Sequence, residues 1–343
     1  MSELPFAKGQ ALGNDYIVVD AADLDAPPSG PFIRALCDRH RGVGSDGLLV
    51  GALSGGGIAL RIFNPDGSEA EKSGNGLRIF AAYLHGRGLV GSDPFTVRLP
   101  GEEVGMQVLG AAPGGALHIV VDMGRASFLA GDVGFRPEQD AEAQAGTAAY
   151  TGEGGRRGGD PRPGGGTRAS GDEARGGDVG RGGDARPDVE PPRPDEPHAY
   201  VLDLGDGSTA TVHPVSVGNP HCVVFVDALE RDDFLYRAPR LATHPAFAAG
   251  TNVQFARPVG PGTIEAWIWE RGAGETLASG SSACAVAAAA VGLGLVSERD
   301  VNVRMPGGSV DVAVAEDGSV RLAGPAQIVY LGRVRADVVQ AWW

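Results

Sequence analysis

The sequence has little of what would mark a secreted, membrane-spanning or metal-centred protein. Its three cysteines, Cys37, Cys222 and Cys284, are an odd number with no Cys-x-x-Cys pair and no Cys/His ligand spacing. That argues against a disulfide framework or a zinc site and predicts free thiols buried in apolar surroundings. The longest apolar run, at 283–291, is too short and too alanine-rich to cross a bilayer, and the N-terminus lacks a basic segment followed by an apolar core. Positive charge is also scarce. Lys and Arg number 29 against 43 Asp and Glu, a net charge of −14, which disfavours nucleic-acid and anionic-membrane partners. The expectation is a cytoplasmic protein.

What is there is enough chain for two ordinary domains: 343 residues, 42% hydrophobic. Shifting the sequence by 206 residues lays "SGNGLRIFAAYLHGRGLV" from Ser73 over "SGSSACAVAAAAVGLGLV" from Ser279, with eight identities in eighteen positions. The same shift lays "VRLPG" from Val97 over "VRMPG" from Val303, and a shift of 205 lays "GNDYIVVD" from Gly13 near "GNPHCVVFVD" from Gly218. Three matches in one order indicate an internal duplication.

Between the halves the composition turns to Gly, Arg, Asp and Pro, with almost nothing apolar to bury, as expected of a disordered segment. RGG-like triplets hint at RNA, but eight Arg between Thr151 and Ala199 face ten Asp and Glu. Near-cancelled charge gives phosphates nothing to bind. The reading is an N-terminal lobe at 1–125, a low-complexity insert at 126–197, a C-terminal lobe at 198–330, and a segment at 331–343 that packs back on the N-terminal lobe.

Within each half, short β-branched runs bounded by Gly, Pro or Asp predict strands, among them "YIVVD", "GLLVGAL", "IALRIF" and "ALHIVVDMG", then "CVVFVD", "TNVQFARPV" and "IEAWIWE". One long helix per half interrupts them, each after a Ser-Gly. The expected fold class is α+β: two pseudo-symmetric lobes, each a strongly curved, mostly antiparallel sheet around a central helix, with the active site in the cleft between them.

A helix N-terminus offers unpaired N–H groups and partial positive charge, and glycine lets a ligand approach the backbone. Two such turns facing each other would hold a carboxylate and place one residue on each side of the adjoining carbon. That is the geometry for removing a proton from one face of a stereocentre and returning one to the other. Ser is also an ordinary N-cap, so one turn alone would say little. Further polar residues lie nearby: Asn14, Asn64, Asn75, Asn219, His221, Asn252, Glu270 and Arg271. Asn after Gly is often only a turn residue, and a lone His is often a satisfied core residue. A guanidinium such as that of Arg271 suits bidentate capture of a second carboxylate.

At "KGQALGNDYIVVD", "CDRHRGVGSDGLL", "FNPDGSEAEKSGNGLRIFAAYL", "SVGNPHCVVFVD", "TNVQFA" and "WERGAGETLASGSSACAVA" the sequence resembles the diaminopimelate epimerases, pyridoxal-independent enzymes of lysine and cell-wall precursor synthesis. The resemblance runs along nearly all the chain except the insert. It implies cofactor-free two-base stereoinversion at the α-carbon of LL- or meso-2,6-diaminopimelate, in a homodimer. It implies Asn14, Asn64, Asn219, Asn252 and Arg271 as substrate contacts, Gly74-Asn75 and Gly280-Ser281 as the cradle of the reacting carboxylate, and His221 and Glu270 as residues that tune the acid and base, Glu270 also touching substrate. No metal or other cofactor is called for, since there is no clustered ligand set and no Gly-Lys-Ser/Thr phosphate loop.

The departure lies at the two catalytic positions, which in the family are cysteines and here are Ser73 and Ser279. A thiol of pKa about 8.5, lowered at a helix N-terminus, supplies thiolate near neutrality, and a serine hydroxyl does not. Cys284 lies five residues past Ser279, on a different helix face. Three readings stay open: serines as near-isosteric substitutions in an epimerase, a related dehydratase or isomerase of the same fold, and a non-catalytic amino-acid-binding homologue.

Overall fold

Strand pairing, more than chain order, organises the molecule. The computed structural model describes residues 3–54, 57–136 and 196–335. Most of the insert expected at 126–197, namely 137–195, lies outside the described residues, as does 336–343 of the expected C-terminal segment.

The described residues are mostly β, with few helices. One closed circuit is made of β1 (Glu3–Ala11), β2 (Asn14–Asp20), β3 (Leu48–Ser54), β4 (Gly57–Phe63), β6 (Phe95–Leu99), β7 (Glu102–Ala111), β8 (Leu117–Arg125) and β17 (Ser319–Arg335). Each pairs with the next, and β17 closes on β1. The two-residue β5 (Glu69–Ala70) hangs on β4. This is a mixed barrel without open edges. Helix α2 (Gly74–Gly86) packs against β1, β2, β3, β7, β8 and β17, and every residue from Gly74 to Leu84 is buried. Burying a side chain such as Phe80 or Leu77 contributes about 1.5–3 kcal/mol.

The second half repeats the arrangement. Strands β10 (Thr209–Ser216), β11 (Pro220–Phe225), β12 (Asn252–Gly260), β13 (Thr263–Glu270), β15 (Asp300–Met305) and β16 (Gly308–Val314) pair in sequence and reach β17. The short β9 (Tyr200–Asp203) and β14 (Gly274–Thr276) flank β10 and β13. A bridge between Ser127 and Ser216 brings β10 back to the segment after β8. Helix α5 (Gly280–Gly292) packs against β10–β13 and β15–β17. It begins and ends at an offset of 206 from α2, so the duplication is three-dimensional. Its alanines 285 and 287–290 are all buried, and small side chains all round are what a helix enclosed on every side needs.

β17 is common to both halves. Its start pairs with β16 on one side and β8 on the other, and Gln327–Arg335 pairs with β1.

Two features differ from the sequence reading. Each half carries a second sizeable helix, α1 (Gly30–Cys37) and α4 (Arg231–Ala242), where one per half was expected. Both are crossovers. β2–β3 and β11–β12 are parallel pairs, which cannot be joined by a tight turn. α1 is capped by Ser29, whose hydroxyl accepts from Phe32 N–H, and has Pro31 in its first turn. In α4 the interior Pro239 and a dense run of charges obscure the apolar stripe of Phe234, Ala238 and Leu241. The second difference is the start of the insert. Residues 126–136 are folded, with the short helix α3 (Ala130–Val133) and buried Phe128, Val133 and Phe135. Phe135 packs on Tyr200 and Phe247 at centroid distances of 4.7 and 5.0 Å. These apolar residues are what the boundary at 126 overlooked.

Candidate active site

Strand register gathers the polar residues. Ile17 lies opposite Leu48, and Leu48 opposite Phe63, so Tyr16, Gly47 and Asn64 share one end of the first barrel. In the second half His221 lies opposite Asn252, and Val253 opposite Trp269, which puts His221, Asn252 and Glu270 side by side. The duplication therefore matches Tyr16 with His221 and Asn64 with Glu270, as it matches Ser73 with Ser279.

The two Ser-Gly turns meet. A Cβ built on Gly74 would lie 3.4 Å from Gly280 Cα, and one on Gly280 would lie 3.2 Å from Gly74 Cα. Either would also press Leu322 Cδ2 at 2.9 Å. A side chain at either position would have to displace Leu322 and push the opposite turn away. Asn75 ties the turns together, donating from Nδ2 to the Ala278 carbonyl and to Asn14 Oδ1, both at 3.1 Å. Two helix N-termini, each with unpaired N–H groups, thus begin at one place.

The serines there differ. Ser73 Oγ caps its helix by accepting from Gly76 N–H at 3.0 Å and has the Tyr16 hydroxyl at 3.4 Å. Burial raises that phenol beyond its ordinary value, despite the hydrogen bond with Ser73. Ser279, 4% exposed, makes no cap bond and is hydrogen-bonded to the Glu270 carboxyl. Burial raises the Glu270 pKa, the Ser279 bond opposes the rise, and the charge of Asp46 adds to it. A carboxyl so placed takes up a proton more readily than an exposed one. Among the described residues no carboxyl is hydrogen-bonded to Ser73, whose partners are Gly76 N–H and the Tyr16 hydroxyl.

His221 is wholly buried. Its Nε2 is 2.9 Å from Asn219 Oδ1, and its Nδ1 is 3.0 Å from Gln254 Nε2, which also donates to Ser282 Oγ at 3.0 Å. Burial, followed by the Arg271 charge, lowers its pKa to about 3. The imidazole is neutral, accepting at Nδ1 and donating from Nε2, and is held at both ring nitrogens. Asn252 Nδ2 donates to the Pro220 carbonyl at 3.1 Å, and its Oδ1 accepts from Arg271 N–H at 2.9 Å. The Arg271 side chain is exposed, its guanidinium resting on the Ala249 carbonyl at 3.2 Å. Asn64 bonds within its own turn, to Ser68. Ser281 is half-buried; Ser282 beside it joins the His221 network.

Sequence reasoning missed Tyr16, Asp46, Gln254, Ser282 and Arg78. Gln254 was within reach, because it lies two residues from Asn252 on a strand and so shares its face. Asp46 accepts from Asn14 Nδ2 and from Asp15 N–H, both at 3.0 Å, and burial raises its pKa. The three cysteines are free and buried, and burial pushes the Cys284 thiol up to about 12, so it holds no thiolate in reserve for Ser279. Among the described residues no group of three His, Cys, Asp or Glu could hold a metal ion, and no helix is long and apolar enough to cross a membrane.

A family model described as diaminopimelate epimerase matches residues 6–129 and 214–329. The chain is 34% identical over 337 residues to "Diaminopimelate epimerase 2" of a Nostoc species, covering 98% of this chain and 97% of that one. It is 34% identical to "Diaminopimelate epimerase" of Desulforudis audaxviator, covering 97% and 100%. Among solved structures, a probable proline racemase from Agrobacterium radiobacter with bound carbonate superposes with a TM-score of 0.61 at 12% identity, covering 97% and 93%, a likeness of fold.

Proposed function

The chain belongs to the diaminopimelate epimerase family and is an isomerase of the epimerase kind, and from that premise we propose that it binds LL- or meso-2,6-diaminopimelate where α2 and α5 begin. In this reading the halves are two lobes, the ligand lies in the cleft between them, and its α-carbon stands between Ser73 and Ser279. The observation that supports the reading is the contact of Gly74 with Gly280, which starts the helices that follow Ser73 and Ser279 at one place.

The helix N-termini receive the reacting α-carboxylate at Gly74-Asn75 and Gly280-Ser281. Asn14, Asn64, Asn219 and Asn252 orient the remaining polar groups, and Arg271 takes the distal carboxylate, its exposed guanidinium free to swing from Ala249. Two-base inversion then breaks the Cα–H bond on one face and forms a new one on the other. On the Ser279 side the proton passes to Ser279 Oγ as the serine proton moves to Glu270. On the Ser73 side Ser73 delivers a proton and draws on the Tyr16 hydroxyl. Serine is a weak relay in both roles, so turnover is slow beside a cysteine pair. The reading carries with it a homodimer in the cytoplasm that needs no cofactor.

Incubation with LL-diaminopimelate in D₂O, followed by NMR at the α-position, tests this. Deuterium uptake with inversion is expected; binding without uptake leaves only the second reading. That second reading, ligand capture without chemistry, is favoured by Ser73, whose oxygen accepts from Gly76 N–H and whose hydroxyl neighbour is a phenol with a raised pKa. Calorimetry separates the two. A panel including hydroxyproline and unsaturated diacids tests for a dehydratase or double-bond isomerase of the same fold.

A further inference from the structure

Arg78 lies one turn into α2 and is 0% exposed. Its Nε donates to the Gly74 carbonyl at 3.2 Å and its Nη2 to Asn75 Oδ1, while Nη1 has no hydrogen-bond partner among the described residues. Nη1 lies so close to Gly324 that any side chain there would collide with it. No carboxylate is hydrogen-bonded to the guanidinium among the described residues. Burial lowers its pKa to about 10, and the neighbour that opposes this is the thiol of Cys284.

For folding alone this is a poor place for a cation. A buried charge without a counter-ion is costly, and the N-terminal end of a helix, already partly positive, repels it. Two helices begin here. The duplicated position in α5, offset by 206, carries Cys284 instead, so the second turn has no such guanidinium of its own. What suits a cation here is an anion on the far side of the Gly74-Asn75 turn.

We propose that Arg78 is a positioning residue which supplies the buried positive charge of the paired turns, so that the carboxylate of a bound ligand completes its charge balance across Gly74 and Asn75. It acts through these two residues. The location of the ligand rests on the proposed function; the role of the charge does not.

The experiment compares the full-length protein with Arg78→Gln and Arg78→Lys, measuring melting temperature without ligand and in titrations of meso-diaminopimelate and, separately, of sulfate. In Arg78→Gln the ligand-free melting temperature holds or rises, while diaminopimelate affinity falls by about tenfold or more, the loss of the buried charge that acts on the carboxylate through Gly74 and Asn75. Arg78→Lys recovers most of the affinity, which a purely structural role would not allow. Undiminished binding by Arg78→Gln overturns the proposal. Should Arg78→Gln fail to fold, Arg78→Lys decides, and loss of binding in that folded variant overturns it equally. If the parent ignores diaminopimelate, the functional reading fails by itself. Sulfate then decides for Arg78: stabilisation of the parent but not of Arg78→Gln supports the proposal, and equal or absent stabilisation sinks it.

Discussion

Asn75 and Ala278 are 203 residues apart in the chain, yet the Asn75 amide donates to the Ala278 carbonyl at 3.1 Å. The same amide holds Asn14, and its oxygen accepts from Arg78. One side chain therefore links the first strand-end cluster, the first helix and the second Ser-Gly turn. Asn75→Ala would strand a buried carbonyl and a guanidinium donor. A stability loss of about 1–3 kcal/mol is expected, read as a lower urea midpoint with unchanged slope. An unchanged midpoint would mean that the link carries no weight.

Gly280→Ala tests the contact of the two turns. The added methyl would sit 2.9 Å from Leu322 Cδ2 and 3.2 Å from Gly74 Cα. Leu322 can shift, but the backbone of the opposite turn cannot without opening the site. The variant should lose about 1–3 kcal/mol of stability, the usual cost of overpacking, and its ligand-induced melting shift should vanish. Full binding in a folded Gly280→Ala protein contradicts a ligand held between these turns.

The strands carrying the site were legible in the sequence because each is a short β-branched run between breakers, and the twin turns because the duplication repeats them. The crossover α4 was not, since Pro239 and its charges hide the stripe that packs on β12 and β13. Asn64 and Glu270 look unrelated as letters. They are equivalents under the 206-residue offset, and only the strand register makes that visible. Tyr16 and Ser73 are 57 residues apart, and no local pattern joins them. Arg78 is not singled out, because nothing in the letters around it says that the barrel closes over that face of α2.

The neutral state of His221 sets a pH dependence. Its folded pKa of about 3 lies below the ordinary 6.5, so the unfolded chain binds the proton first. The stabilisation is present above about 6.5 and is lost as pH falls toward 3, at up to about 1.4 kcal/mol per pH unit. His213, buried with a pKa of about 4, adds the same sign over part of that window. Unfolding free energies measured between pH 7 and 4 should fall less steeply in His221→Gln than in the parent, by about one proton in the slope. Parallel curves would place a charged imidazole in the native protein.

Glu270 runs the opposite way. Its folded pKa is raised above 4.5, so its contribution is full below the unfolded value and is lost as pH rises through the folded one. Glu270→Gln, which removes a buried charge while leaving a group able to bond Ser279, should therefore melt higher than the parent at neutral pH, with the gap closing toward pH 4. The same variant removes the only proton acceptor proposed beside Ser279, so deuterium uptake should fall by about 10²-fold or more. Replacing Ser73 and Ser279 by cysteine should raise uptake over the parent by a comparable factor or more, since a thiolate at a helix N-terminus needs no help from a neighbouring carboxyl. Placed in that cysteine background, Glu270→Gln should then cost much less than in the serine protein. If it costs as much in both, Glu270 does not act as the base through Ser279, and its raised pKa reflects burial alone.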